Sequence, residues 1–214
     1  MKCVLCEQRK AKRFCPAKGA LICAQCCGEK RVLEISCPET CEYLKTGRAH
    51  EAEDYAKRIR SLDRATQERN KKVLLNYQNV VARLEYALSR ERILSRDITD
   101  KDVAQAIAIL LDTYRTEDNG ILYEKTSDDL RVESVRRELR KIVESFRNPE
   151  GTQGQGVVDL QSTRLPLSAA IDCLEFIGSL VRAYQEDRHF ASSYIDFLAR
   201  VMPRNQERSS LILP

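Results

Sequence analysis

The chain has 214 residues, enough for one large domain or for a small domain joined to a medium one, and its 43% hydrophobic and 32% charged content excludes a chain disordered throughout. Eight Gly and six Pro set against many Leu, Arg, Glu and Ala favour helices over a turn-rich β-fold. The formal charge of +4 is uneven: residues 1–48 hold ten basic and five acidic side chains and the remainder 26 and 27, which sets a basic module ahead of a near-neutral body.

The first element in chain order is a cysteine cluster. Eight of the nine cysteines lie between Cys3 and Cys41, spaced as Cys3-x2-Cys6, Cys15, Cys23-x2-Cys26-Cys27 and Cys37-x3-Cys41. No stretch approaches the roughly 18 apolar residues of a membrane span, and MKCVLCEQRKAK lacks the apolar centre of a secretory signal. The expected setting is therefore a reducing one, cytoplasmic or, in a eukaryote, nuclear, where clustered cysteines serve metals more often than disulfides. A C-x2-C knuckle aims two thiolates at one point, and two knuckles complete a tetrahedral zinc site. Eight thiols match two structural Zn ions, and so short a segment has few core-sized side chains with which to fold otherwise. Sequential pairing would join Cys3, Cys6, Cys15 and Cys23 at one ion and the rest at the other. The cross-brace, which we prefer because it brings both knuckles to one ion, joins Cys3, Cys6, Cys23 and Cys26, and separately Cys15, Cys27, Cys37 and Cys41.

Over residues 3–41 this run of C-x2-C, a spaced Cys15-Pro16, an apolar Ile22 before Cys23-x2-Cys26 and a final x3 pair resembles the HIT-type and MYND-like cross-brace zinc fingers. It departs from them at Ala17 and Lys18, where a fourth ligand usually follows the Cys-Pro, and at Cys37, where a His is usual; Cys27 would then supply the missing ligand. The resemblance implies a module for protein contacts and names no partner.

Three other readings compete for these residues. A catalytic zinc would keep an open position among His or carboxylate ligands, and a redox Cys3-x2-Cys6 would need a βαβ setting; the spacing offers neither. The basic loop RKAKR, through Arg9, Lys10, Lys12 and Arg13, suits contacts to phosphate or to a partner, and a nucleic-acid-binding regulator is the alternative function. Eight thiolates with two Zn²⁺ would carry a net −4 and leave the module near +1, and RKAKR has no interleaved aromatics for base stacking.

Beyond the cysteines the periodicity turns helical. The segment 49–96 has no Gly or Pro, and it carries Tyr55, Ile59 and Leu62 and then Val73, Tyr77, Val80, Leu84 and Leu88 on one face, so it reads as a long helix, or as two with a bend about the polar TQERNKK. Thr99 with Asp102 resembles a capping box that opens a helix over 100–117, closed by Asn119-Gly120, with Val103, Ile107, Leu110, Leu111 and Tyr114 inward. A start at Ser127 opens a helix over 128–147, with Leu130, Val135, Leu139, Ile142, Val143 and Phe146 inward. After a glycine-rich loop, helices over 166–184 and 188–202 complete the body, with Cys173 as plain core.

Little else carries chemistry. GTQGQG at 151–156 lacks the Lys-Ser/Thr of a P-loop, and His50 and His189 lie in no metal-binding pattern. TYRTEDNGILYEK, 113–125, suits a packed corner by default or a recognition edge. The chain thus reads as mainly α: a binuclear zinc-finger module at 1–48 and an α-helical domain of about five or six helices at 49–214. The expected function is that of a non-catalytic zinc-binding adaptor or regulatory protein mediating protein–protein interaction, with an enzyme site among the helices as the third reading.

Overall fold

The computed structural model describes residues 1–149, 164–186 and 194–202. The first 41 of these form a small hairpin-and-helix unit, and every element after them is a helix. Strand β1 (Arg13–Cys15) pairs antiparallel with β2 (Ala20–Ile22), with Phe14 opposite Leu21 and Cys15 opposite Ala20. The turn between them needs Gly19, whose φ of 60° side chains rarely adopt. Helix α1 (Ala24–Lys30) follows at once and places Cys26 and Cys27 in a small core with Cys3, Cys15, Ile22, Cys23 and Ile35.

The body begins with α2 (Glu42–Ser61), which starts at Cys41 and so runs straight through the division expected at residue 48. The long helix expected over 49–96 is two helices. Leu62 leaves the helical region and Asp63 caps α3 (Arg64–Leu94) by accepting from the Thr66 N–H at 3.0 Å. Gln67 closes the joint from the other side, donating to the carbonyls of Arg60 (2.9 Å) and Leu62 (2.5 Å) that α2 leaves open. A second irregularity lies at Tyr77, whose φ of −134° kinks α3.

Helix α4 (Asp100–Asp118) carries the expected capping box: the Asp102 N–H reaches the Thr99 hydroxyl, and the Asp102 carboxylate accepts from the Thr99 N–H. Helices α5 (Leu130–Arg147), α6 (Leu167–Glu186) and α7 (Tyr194–Val201) follow. Helices α3 and α4 each pack against both α5 and α6, which closes a ring of four, while α7 lies on α3 and α2 touches α6 and α7. Val80, Leu84, Leu88, Val103, Ile107, Leu110 and Tyr114 are buried in that ring as the periodicity predicts, and Cys173 is wholly buried there. Leu130 corrects the inward stripe of α5: as the first helical residue it is 79% exposed, and Val132 takes the buried place. Among the described residues no helix is long and apolar enough to cross a membrane. The expected loop motif 151–156, His189 and the first turn of the helix expected from 188 lie outside the described residues.

Candidate metal centre

The sulfurs of Cys3, Cys6, Cys23 and Cys26 lie within 4.8 Å of one another, a spread that a single metal ion can span. Local backbone chemistry explains how four residues so far apart in sequence meet there. The Cys3-x2-Cys6 knuckle turns back at Glu7, held at a φ of 54°, whose N–H reaches the Cys3 carbonyl (2.8 Å), while the Cys3 N–H reaches the Arg9 carbonyl (2.9 Å). Cys23 is the N-cap of α1, and its sulfur accepts from the Cys26 N–H at 3.3 Å. One turn of helix thus sets the second knuckle, and β2 delivers it beside the first.

Electrostatics ready part of this cluster for metal. The Cys26 amide, then the Arg9 guanidinium, lower the Cys23 thiol to about 6. The amides of Arg9 and Gln8 lower Cys6 in the same sense. Burial pushes Cys26 up to about 12, so in the absence of metal this thiol keeps its proton. Arg9 Nη2 donates to Cys26 Sγ at 3.7 Å, the kind of outer contact that orients and neutralises a metal-bound thiolate.

Cys26 and Cys27, adjacent in sequence, project about 100° apart on α1. Cys26 therefore turns to the first tetrad, and Cys27 faces a small enclosed cavity of about 10 Å³ that Cys15, Cys37 and Cys41 also border. Among the described residues the first tetrad alone gathers three or more such groups within 4.8 Å, so the four sulfurs round this cavity stand further apart. They still sense one another: burial raises the Cys37 thiol, and Cys15, Cys41 and Cys27 push it in the same direction against the opposing Val32 amide. Val32 itself holds a φ of 66°, a left-handed value at which a β-branched residue is strained by about 1–3 kcal/mol.

The expected phosphate contacts do not act together. Arg9 turns to the thiolates and Arg13 lies 4.9 Å over the Tyr43 ring, whereas Lys10 and Lys12 stay in solvent. The contact of Arg9 with sulfur is one that sequence reasoning missed, because a guanidinium in a basic run looks the same whether it faces phosphate or sulfur. His50 is exposed on α2 beside a groove of about 330 Å³, whose charged walls are largely paired among themselves: Glu51 Oε1 accepts from Arg31 (3.1 Å) and Arg200 (2.7 Å), and Asp54 meets Arg58 (3.6 Å). The segment 113–125 divides. Tyr114 is packed, with its hydroxyl on Glu144 at 3.0 Å, while Ile121, Leu122 and Tyr123 are exposed.

Comparison of the chain with protein-family models, with characterised proteins and with solved structures finds no match.

Proposed function

We propose that the chain is a non-catalytic adaptor or regulatory protein whose amino-terminal module is folded by two structural zinc ions and presented to protein partners by the helical body. The observation that carries this reading is the convergence of Cys3, Cys6, Cys23 and Cys26. Four sulfurs complete the coordination of Zn²⁺ and leave no position for substrate, which favours a structural ion over a catalytic one. A reducing compartment would keep these thiols available. The second ion takes Cys15, Cys27, Cys37 and Cys41, drawn together from the walls of the cavity they already share. The strain at Val32 fits this reading, because the left-handed turn is what aims its N–H at the Cys37 sulfur. The arrangement follows the cross-brace order of the HIT-type and MYND-like fingers, whose use in protein contacts supports the adaptor role.

The test is affinity capture from a lysate of the source cell with the full-length protein and with its Cys3→Ser/Cys23→Ser variant. Partners captured by the first and lost by the second support the reading. An unchanged set of partners, or none with the zinc-loaded protein, contradicts it.

A further inference from the structure

Exposure alternates along the segment that leads into β1. Lys10, Lys12 and Phe14 face solvent, while Ala11 and Cys15 are buried and Arg13 is half-buried. An isolated antiparallel bridge sets Lys2 opposite Lys10, so those two side chains share a face. Val4 is exposed as well, and its N–H reaches the carbonyl of Leu21 (3.4 Å), the strand partner of Phe14. The outcome is a plate with three lysines at one end and Phe14, at 57% exposure, at the other.

This plate is costly for the isolated protein. Lysines directly opposite one another repel, and among the described residues none of Lys2, Lys10 or Lys12 has an ion-pair partner. The body treats its cations differently, as Arg69 with Glu175, Arg92 with Asp196, Arg136 with Glu133 and Arg147 with Glu117 illustrate. An aromatic ring left in water at the end of an unneutralised lysine row suits a polyanion that also offers flat apolar faces.

We propose that the plate binds single-stranded nucleic acid, with Lys2, Lys10 and Lys12 on its phosphates and Phe14 stacked on a base. A duplex keeps its bases stacked on one another and offers Phe14 nothing; an acidic peptide would meet the lysines but leave the ring without a partner. The row differs from the basic loop as the sequence presents it. Arg9 and Arg13 are drawn away, Lys2 is recruited by strand pairing, and Phe14 supplies the missing aromatic. The surface goes beyond the adaptor reading but shares its scaffold, because Cys3 sits between Lys2 and Val4 and Cys15 follows Phe14.

The test titrates full-length, zinc-loaded protein into fluorescein-labelled oligothymidylate and oligouridylate over a range of salt, with zinc content measured on the same samples. Binding of either strand is expected to weaken with salt at a log–log slope of about −2, three phosphates at about −0.7 each. Lys10→Gln/Lys12→Gln should flatten that slope by about 1.4. Phe14→Ala, and Phe14→Leu as the variant that keeps an apolar side chain, should each weaken binding about fivefold or more and leave the slope alone. Absence of salt-sensitive binding, indifference to these substitutions, or tighter binding of poly-glutamate than of either oligonucleotide overturns the proposal. Zinc-free protein that still binds with the same sensitivities supports the plate and refutes the metal reading instead.

Discussion

Arg9 and Glu85 are residues whose roles the sequence conceals, for opposite reasons. Arg9 stands in a basic run that resembles a phosphate site, yet its guanidinium lies on Cys26 and its protonated form is favoured by hydrogen bonds to Cys23 and Cys26. Glu85 occurs in a helix rich in charge, where an acid looks like solvated surface, yet it is buried and accepts from the hydroxyls of Tyr194 (2.7 Å) and Tyr55 (3.1 Å). Burial raises its carboxyl above the ordinary range, with the two tyrosines opposing. A carboxyl raised on folding contributes stability fully below its unfolded value and loses that contribution as pH climbs through its folded value. Glu85→Gln keeps the accepting oxygen and removes the titration, so the variant should gain on the wild type as pH rises from about 5 to about 8. Thermal unfolding at the two values checks this, and a difference between the proteins that does not change with pH contradicts it. Asp100, also raised by burial while it accepts from the Tyr194 and Ile195 amides, is common to both proteins and cancels.

Elements were more legible than the joints between them. The capping box at Thr99 and the stripes of α3 and α4 follow from local pattern, since capping and helical spacing act over a few residues. The break at Leu62-Asp63 depends on a reciprocal pair of caps within a polar run that periodicity does not register. The start of α2 at Cys41 was likewise masked by the cysteine spacing. The consequence of that start is a tight joint: Arg31, just after α1, lies across Gly47 of α2, donates to the Tyr43 carbonyl (3.4 Å) and pairs with Glu51, which also holds Arg200 of α7. A Cβ on Gly47 would come within 1.3 Å of Arg31 Nη1. Gly→Ala inside a helix normally stabilises by about 1 kcal/mol. Here Gly47→Ala should show no such gain, because Arg31 must leave Glu51, and the gain should return in the Arg31→Ala background. A double-mutant cycle in denaturant reads the coupling; additive effects would mean that Arg31 does not hold the joint.

At the scale of the whole molecule, a cysteine-built unit and a hydrophobic ring of helices share one chain. The helical class was legible because few Gly and Pro and a 3.6-residue period leave little choice. The tetrad of Cys3, Cys6, Cys23 and Cys26 was legible because two C-x2-C knuckles have one economical way to meet. The second set, Cys15, Cys27, Cys37 and Cys41, follows from the same spacing and borders one cavity, but how near its sulfurs come was not legible, because Cys15, Cys37 and Cys41 come from a strand, a loop and a helix cap whose separations are set by tertiary structure. In the proposed function, metal builds the amino-terminal unit in place of a hydrophobic core. Native mass spectrometry of protein purified without added metal tests this most directly, together with circular dichroism after chelation. Two Zn²⁺ per chain are expected and, on their removal, loss of the amino-terminal fold with most helical signal retained. A chain that carries no metal and keeps that fold would contradict it.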